Sequence, residues 1–203
     1  MRIGAAISAE LRDRGWRVLT SSHRAGAGAD IVADLSDDLG AVRLYAEALA
    51  KAPDLCAVVN NAALFRGEDE VLEKINFITP QKLTVLLAGR EGVKCAVVNV
   101  LDSRTLESGV ASADAAVYAD TKRKLLEYTR RSACLFAGSL RVNAVAPGPV
   151  LPPDGCHEPA GEMLLDRRPS PKDVAEAVAY LLEADAVTGA VIPVDSGQHL
   201  LMV

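Results

Sequence analysis

Residues 93–100 read VKCAVVNV, an apolar run interrupted only by Lys94 and Asn99. A strand with one wet face alternates polar and apolar residues. A run without alternation is expected of a strand covered on both faces, as in a parallel sheet flanked by helices. LCAVVN (55–60) and LRVNAVA (140–146) repeat the pattern, and RVLTSS (17–22), ADIVADL (29–35) and AVIPV (190–194) are weaker strand candidates. Helical stretches are expected between them, near 38–51, 70–89, 114–137 and 171–183. The last begins SPKDVAEAVAYLLEA, with Ser170 as N-cap, Pro171 at the first position and Asp173 in the first turn. Alternation of this kind predicts an α/β fold: one domain over 1–203, a doubly wound parallel sheet with helices on both faces.

The chain opens on MRIGAAISAELRDRGWRVLTSSHR (1–24), where Ile3, Ile7 and Leu11 recur four apart with Ala6 beside them. This is an amphipathic helix closed by Gly15 and followed by the strand 17–22. At 203 residues, 50% hydrophobic, the chain can bury a substantial core, and with only 4% aromatics that core is aliphatic. The net charge of −5 is scattered, and no basic stripe suggests a nucleic-acid groove. No apolar run reaches the length of a membrane span or a signal peptide. The cysteines (56, 95, 134 and 156) lack metal-like spacing. A reducing, cytoplasmic location is therefore expected, with no metal.

Four strand ends carry polar or turn-forming groups. LCAVVN closes on Asn60 and runs into Asn61-Ala62, VVNVLDSR closes on Asp102, NAVAPGPV closes on Pro147-Gly148, and Ser22 ends the strand 17–22. In an open parallel sheet the ligand lies beyond the carboxyl ends of the strands. VYADTKRKLLEY (117–128) adds Tyr118 and Lys122, four apart on one helix face, and INFITP (75–80) sets Asn76 within another helix. A lysine ammonium beside a phenol favours the phenolate and makes the tyrosine a usable acid. A solvated helix face is the bland alternative for a lone Tyr-x-x-x-Lys.

Taken in order, Asn60-Asn61-Ala62, Asn76, Tyr118-x-x-x-Lys122, Pro147-Gly148 and VTGAVIPVDSGQHL (187–200) resemble the short-chain dehydrogenase/reductase family over essentially the whole chain. The resemblance implies a Rossmann-type fold, a nicotinamide cofactor and hydride transfer. Tyr118 would be the acid/base, Lys122 would lower its pKa and hold the ribose, and Asn76 would fix a proton-relay water. Finer features are similar to the pteridine reductase branch: Arg2 and Gly4 of MRIG at the end of a phosphate loop, Asp102 in place of the usual serine, Phe65 as a stacking wall, and the segments APGPVLP and GQHL. By the same resemblance Arg2, Ile3, Gly4, Ser22, His23, Arg24, Asp34, Leu35, Asn60, Asn61, Ala62, Tyr118, Lys122, Pro147, Gly148 and Val150 line the cofactor. Arg2, Phe65, Asp102, Tyr118 and Leu151 line the substrate. A strand and the first phosphate-loop glycines are expected ahead of Met1, between the strands 17–22 and 55–60, so the domain reads as N-terminally short.

The chain departs from that branch at Ala63, where a serine is usual, and at Ser196, where a glycine is usual. The segment between Asp102 and Tyr118 is longer than usual, which leaves Ser103 and Thr105 as rivals of Asp102 for the serine position. The stretch from Phe65 to Asn76 is short. In place of the carboxylate that an NAD site offers the ribose, residues 22–24 are Ser22, His23 and Arg24, suited to a 2′-phosphate and hence to NADP(H). Arg24 reads equally as an exposed turn residue, and Asp34 reads as an adenine contact, a helix N-cap or both. Asp195 reads as a turn former and His199 as structural, while His157, in the Pro-rich loop 148–162, is a minor candidate for the substrate cleft.

The expected activity is NADPH-dependent reduction of a C=O or C=N bond, most specifically in a dihydropterin or dihydrofolate-type small molecule. The alternatives are a general carbonyl reductase of the same family and an inactive fold-mate that binds a nucleotide or partner. A homodimer or homotetramer through the helices 70–89 and 114–137 is expected by the resemblance.

Overall fold

The computed structural model describes residues 2–106, 115–151 and 161–201. Six strands are all paired in parallel. Strands β1 (Ser21–Ser22) and β2 (Ile31–Val32) form a two-stranded sheet, and β3 (Ala57–Asn60), β4 (Cys95–Val100), β5 (Leu140–Pro147) and β6 (Val191–Val194) form a four-stranded sheet in that order. The helices are α1 (Ile3–Asp13), α2 (Gly40–Lys51), α3 (Asp69–Glu73), α4 (Thr79–Ala88), α5 (Ala116–Leu135) and α6 (Pro171–Glu183). A π-helical turn, Lys74–Ile78, joins α3 to α4.

All six residues of β4 are buried, as its unbroken apolar run predicts. On one face α1 and α6 bury Ile7, Leu11, Val174, Val178 and Leu181 against Val98 and Val145. On the other, α4 and α5 bury Leu87, Leu125, Leu126 and Ala133 against Val97, Val142 and Ala144. The asparagines that interrupt the strands are satisfied in pairs. Asn60 Nδ2 donates to Asn99 Oδ1 at 2.8 Å, Asn99 Nδ2 donates to Thr129 Oγ1 at 2.9 Å, and Asn143 exchanges bonds with Val187 and Ala190. Such side chains are stable inside a sheet only when paired in this way. The capping box of α6 forms between Ser170 and Asp173.

Three sequence expectations change. The single helix expected over 70–89 is broken by the π turn, whose extra residue per turn aims Asn76 inward. The strand expected over 17–22 is paired only at its end, because Asp30 takes the Thr20 N–H and hydroxyl at 2.7 and 2.8 Å. The sheet is also not continuous. Residues 17–22 and 55–60 do not pair with each other, and both line a cavity of about 870 Å³ walled by Ile7, Leu11, Ile31 and Leu83.

Candidate active site

Parallel pairing brings the carboxyl ends of β3, β4 and β5 to one edge, where the chain turns at Asn61, Asp102 and Gly148. Helix α5 passes behind this edge and presents Tyr118 and Lys122. The Tyr118 hydroxyl donates to Asp102 Oδ2 at 3.0 Å. Of the three rivals for the serine position, Asp102 is the one that meets the tyrosine. Thr105 Oγ1 donates instead to the Asp102 carbonyl at 2.8 Å, and Ser103 Oγ is buried with no hydrogen-bond partner among the described residues.

The relation between Lys122 and Tyr118 differs from the expected one. Lys122 is fully buried, and its Nζ donates to the Val100 carbonyl at 2.8 Å, with the ammonium 5.8 Å from the centre of the Tyr118 ring. Burial, partly offset by the charge of Asp102, brings the lysine down to about 8. The phenol is pushed well above the ordinary tyrosine range, by burial first and by the Asp102 charge second. The lysine does not lower the phenol, because its proton is aimed at the Val100 carbonyl.

Asn76, set by the π turn, is buried and spends its amide on the Leu64 backbone. Its Oδ1 accepts the Leu64 N–H and its Nδ2 donates to the Leu64 carbonyl, both at 2.8 Å, with Thr121 Oγ1 at 3.3 Å. It therefore pins the segment that carries Phe65. Phe65 is an exposed ring meeting Tyr118 edge-on, with centroids 4.9 Å apart.

The remaining predicted residues fall along the same edge. Helix α1 starts after Arg2 with no side-chain cap and no acidic residue in its first turn, so its first N–H groups are open to an anion. Gly4 lies against Asn61: a Cβ there would come within 2.6 Å of Asn61 Nδ2. Asn60 faces Asn99 rather than the edge, and Ala62 is exposed. Gly148 is packed so closely on Asp195 that a Cβ would meet its Cβ at 2.4 Å, and its N–H donates to the Val194 carbonyl. Pro147 ends β5, Val150 is buried beyond it, and Leu151 is exposed. Ile3 and Leu35 are half-buried, and the Leu35 carbonyl accepts from Thr79.

Ser22, His23 and Arg24 follow one another at the end of β1. The Ser22 hydroxyl accepts the Arg24 N–H, and Arg24 Nε lies 3.1 Å from His23 Nε2, leaving an exposed guanidinium. The helix-cap reading of Asp34 is corrected: its carboxylate accepts the Ser36 N–H and hydroxyl in a local turn, and the residue flanking α2 is Leu39. Asp195 follows β6 and accepts from Gly197 N–H, His199 N–H and His199 Nδ1, a structural pairing for that histidine. Ser196 adopts the left-handed backbone (φ 56°) that a glycine would take without strain. His157 and Cys156 lie outside the described residues.

The sequence reading missed Arg104, whose side chain forks onto Asp102. The pattern Asp-x-Arg at a strand end was its only signal.

An uncapped helix N-terminus, two closely packed glycines and a tyrosine–carboxylate pair beside a buried lysine thus gather along one edge of the sheet. A sequence profile described as Enoyl-(Acyl carrier protein) reductase matches residues 2–199, and the chain belongs to the short-chain dehydrogenase/reductase family. It is 30% identical to cis-4-hydroxycyclohexanecarboxylate dehydrogenase of Sinomonas cyclohexanicum, over 96% of this chain and 91% of that one. It is also 30% identical to a dihydromonapterin reductase of Escherichia coli, over 86% of this chain and 79% of that one. Among solved structures, FolM alternative dihydrofolate reductase 1 from Brucella suis in complex with NADP superposes with a TM-score of 0.85 at 27% identity, covering 98% of this chain and 92% of the other. No helix among the described residues is long and apolar enough to cross a membrane.

Proposed function

We propose that this chain is an NADPH-dependent reductase of a C=N or C=O bond in a dihydropterin or dihydrofolate-type substrate. One observation carries the reading: the Tyr118 hydroxyl lies 3.0 Å from Asp102 Oδ2 beneath the exposed ring of Phe65, a proton donor beside a flat apolar wall. The dihydromonapterin reductase and alternative dihydrofolate reductase likenesses support it. NADPH supplies the hydride when bound. The open N–H groups of α1 with Gly4 and Asn61 suit its pyrophosphate, Ser22, His23 and Arg24 its 2′-phosphate, Asp34 and Leu35 its adenine end, and Lys122, Pro147, Gly148 and Val150 its nicotinamide end. Arg2 and Leu151 sit at the rim toward the substrate.

In this reading Tyr118 delivers the proton to the reduced bond, Asp102 holds the phenol in place, and Asn76 fixes the Leu64–Phe65 backbone. Phe65 stacks on the planar substrate and keeps water from the reacting bond. Turnover of dihydromonapterin, dihydrofolate and a simple aliphatic ketone with NADPH tests the assignment. Reduction of the ketone alone would make the chain a general carbonyl reductase, the reading favoured by its likeness to the cyclohexanecarboxylate dehydrogenase. NADPH binding with no turnover of any substrate would make it an inactive fold-mate.

Replacing Phe65 with alanine is expected to raise KM for a dihydropterin about two- to twelvefold, from loss of a stacking interaction of about 0.5–1.5 kcal/mol. Ketone kinetics should stay unchanged. An equal loss on both substrates would show that the ring only shapes the cleft.

Arg24→Ala is expected to weaken NADPH about ten- to hundredfold while sparing NADH, the scale of one charged hydrogen bond. Calorimetric titration with both nucleotides reads it, and equal affinities in the unmutated protein would refute the 2′-phosphate assignment. A homodimer or homotetramer belongs to the same proposal, supported by exposed Val85 on α4 and Leu135 on α5.

A further inference from the structure

Arg104 stands two residues beyond Asp102, in the short 3₁₀ turn Ser103–Thr105, and its side chain folds back onto the carboxylate. Its backbone N–H and Nε donate to Asp102 Oδ1 at 3.0 and 3.1 Å, and Nη2 donates to Oδ2 at 2.8 Å. A two-pronged guanidinium–carboxylate pair fixes orientation as well as charge. Asp102 Oδ2 is also the atom that accepts the Tyr118 hydroxyl. On its other side the guanidinium lies 5.9 Å from the centre of the Phe65 ring, and Phe65 meets Tyr118 edge-on. Asp102, Arg104, Phe65 and Tyr118 therefore close a ring of contacts. The carboxylate is largely buried while Arg104 reaches it from the rim, with side-chain exposures of 11% and 56%.

We propose that Arg104 is a positioning residue for proton transfer by Tyr118, holding the Asp102 carboxylate in register with the phenol and setting a positive charge in direct contact with it. The proposal rests on the reductase reading above.

When Tyr118 gives up its proton, a phenolate develops beside a carboxylate. Two like charges at hydrogen-bond distance oppose the step, most strongly where water is excluded. Among the described residues, four charged groups lie about the phenol: Asp102 and Arg104 from the end of β4, Lys122 from α5, and Arg66, 5.8 Å from the centre of the Phe65 ring. Lys122 is engaged with the Val100 carbonyl, and Arg66 is separated from the phenol by Phe65. Arg104 is the cation in contact with the pair. Its charge pulls the phenol back toward the ordinary range against the push from Asp102. The Phe65 contact holds the guanidinium over the carboxylate, so the stacking wall and the proton donor are set by one side chain.

The test compares wild type, Arg104→Lys and Arg104→Met across pH, on whichever substrate the wild type reduces. Failure to reduce any dihydropterin would thus count against the substrate reading and leave the comparison intact. Arg104→Met is expected to lower kcat about tenfold, the scale of a one-unit change in the acidity of the proton donor. The alkaline limb of the kcat–pH profile should move upward, and KM for NADPH should stay put. Arg104→Lys should recover most of kcat and return the limb, because it keeps the charge. Thermal melts of both variants report folding. A residue that merely braced the turn would lower melting in both variants without moving the limb, and that result would overturn the proposal. So would a methionine variant with unchanged kcat, or a loss confined to KM of the substrate.

Discussion

Tyr118→Phe is expected to cut turnover by about 10²–10⁴-fold, the usual worth of a positioned general acid. NADPH affinity should stay within a few-fold. The substitution removes one hydroxyl and its bond to Asp102 Oδ2, and it leaves the ring in place against Phe65. The cleft keeps its shape, and only the proton is lost. Single-turnover measurement with prebound NADPH separates the chemical step from binding. Near-normal turnover would remove Tyr118 from the role of acid. A comparable fall in cofactor affinity would instead assign it to binding.

Lys122→Met should abolish turnover at least as thoroughly, and it should also change how stability depends on pH. The native ammonium is held down to about 8 by burial, against the ordinary 10.5 of an exposed lysine. Between those values the unfolded chain carries the proton and the native chain does not. Unfolding therefore takes up protons, and native stability rises with pH. From pH 8 to 10 the gain is about 2 kcal/mol by that linkage. Above pH 10 Tyr118 acts in the opposite sense: its phenol ionises near 10.0 when unfolded but is held higher in the native state, so stability falls again. Urea unfolding at several pH values reads both limbs. The methionine variant should lose the rise and keep the fall. An identical rise in both proteins would show that Lys122 titrates as a solvated lysine.

Much of the architecture was written in local pattern. The unbroken run of β4 and the Ser170 capping box each express a one-dimensional rule, a covered strand and a capped helix start. The edge at which Asn61, Asp102 and Gly148 gather followed from parallel order alone. Three features were not legible because each depends on contacts across distant segments. The π turn at Asn76 exists because its amide reaches Leu64 and Thr121. The curtailed pairing of residues 17–22 reflects the hold of Asp30 on Thr20. The seat of Lys122 on the Val100 carbonyl places the ammonium away from the phenol that spacing would have given it. Arg104 escaped notice because a rim arginine has the same appearance in sequence whether it faces solvent or closes on a carboxylate.

A ligand seated along the strand-end edge enters the stability of the fold by mass action. On the proposed reading, a dinucleotide laid from Arg24 to Gly148 touches the end of β1 and the end of β5 at once. Whatever free energy it gains on binding is added to the cohesion of the fold, by about 2.7 kcal/mol when the free nucleotide stands a hundredfold above its dissociation constant. Typical domains have only about 5–15 kcal/mol in all. The folded fraction of this protein would then follow the supply of its own coenzyme, and a cell poor in that coenzyme would lose the enzyme to proteolysis as well as losing its rate.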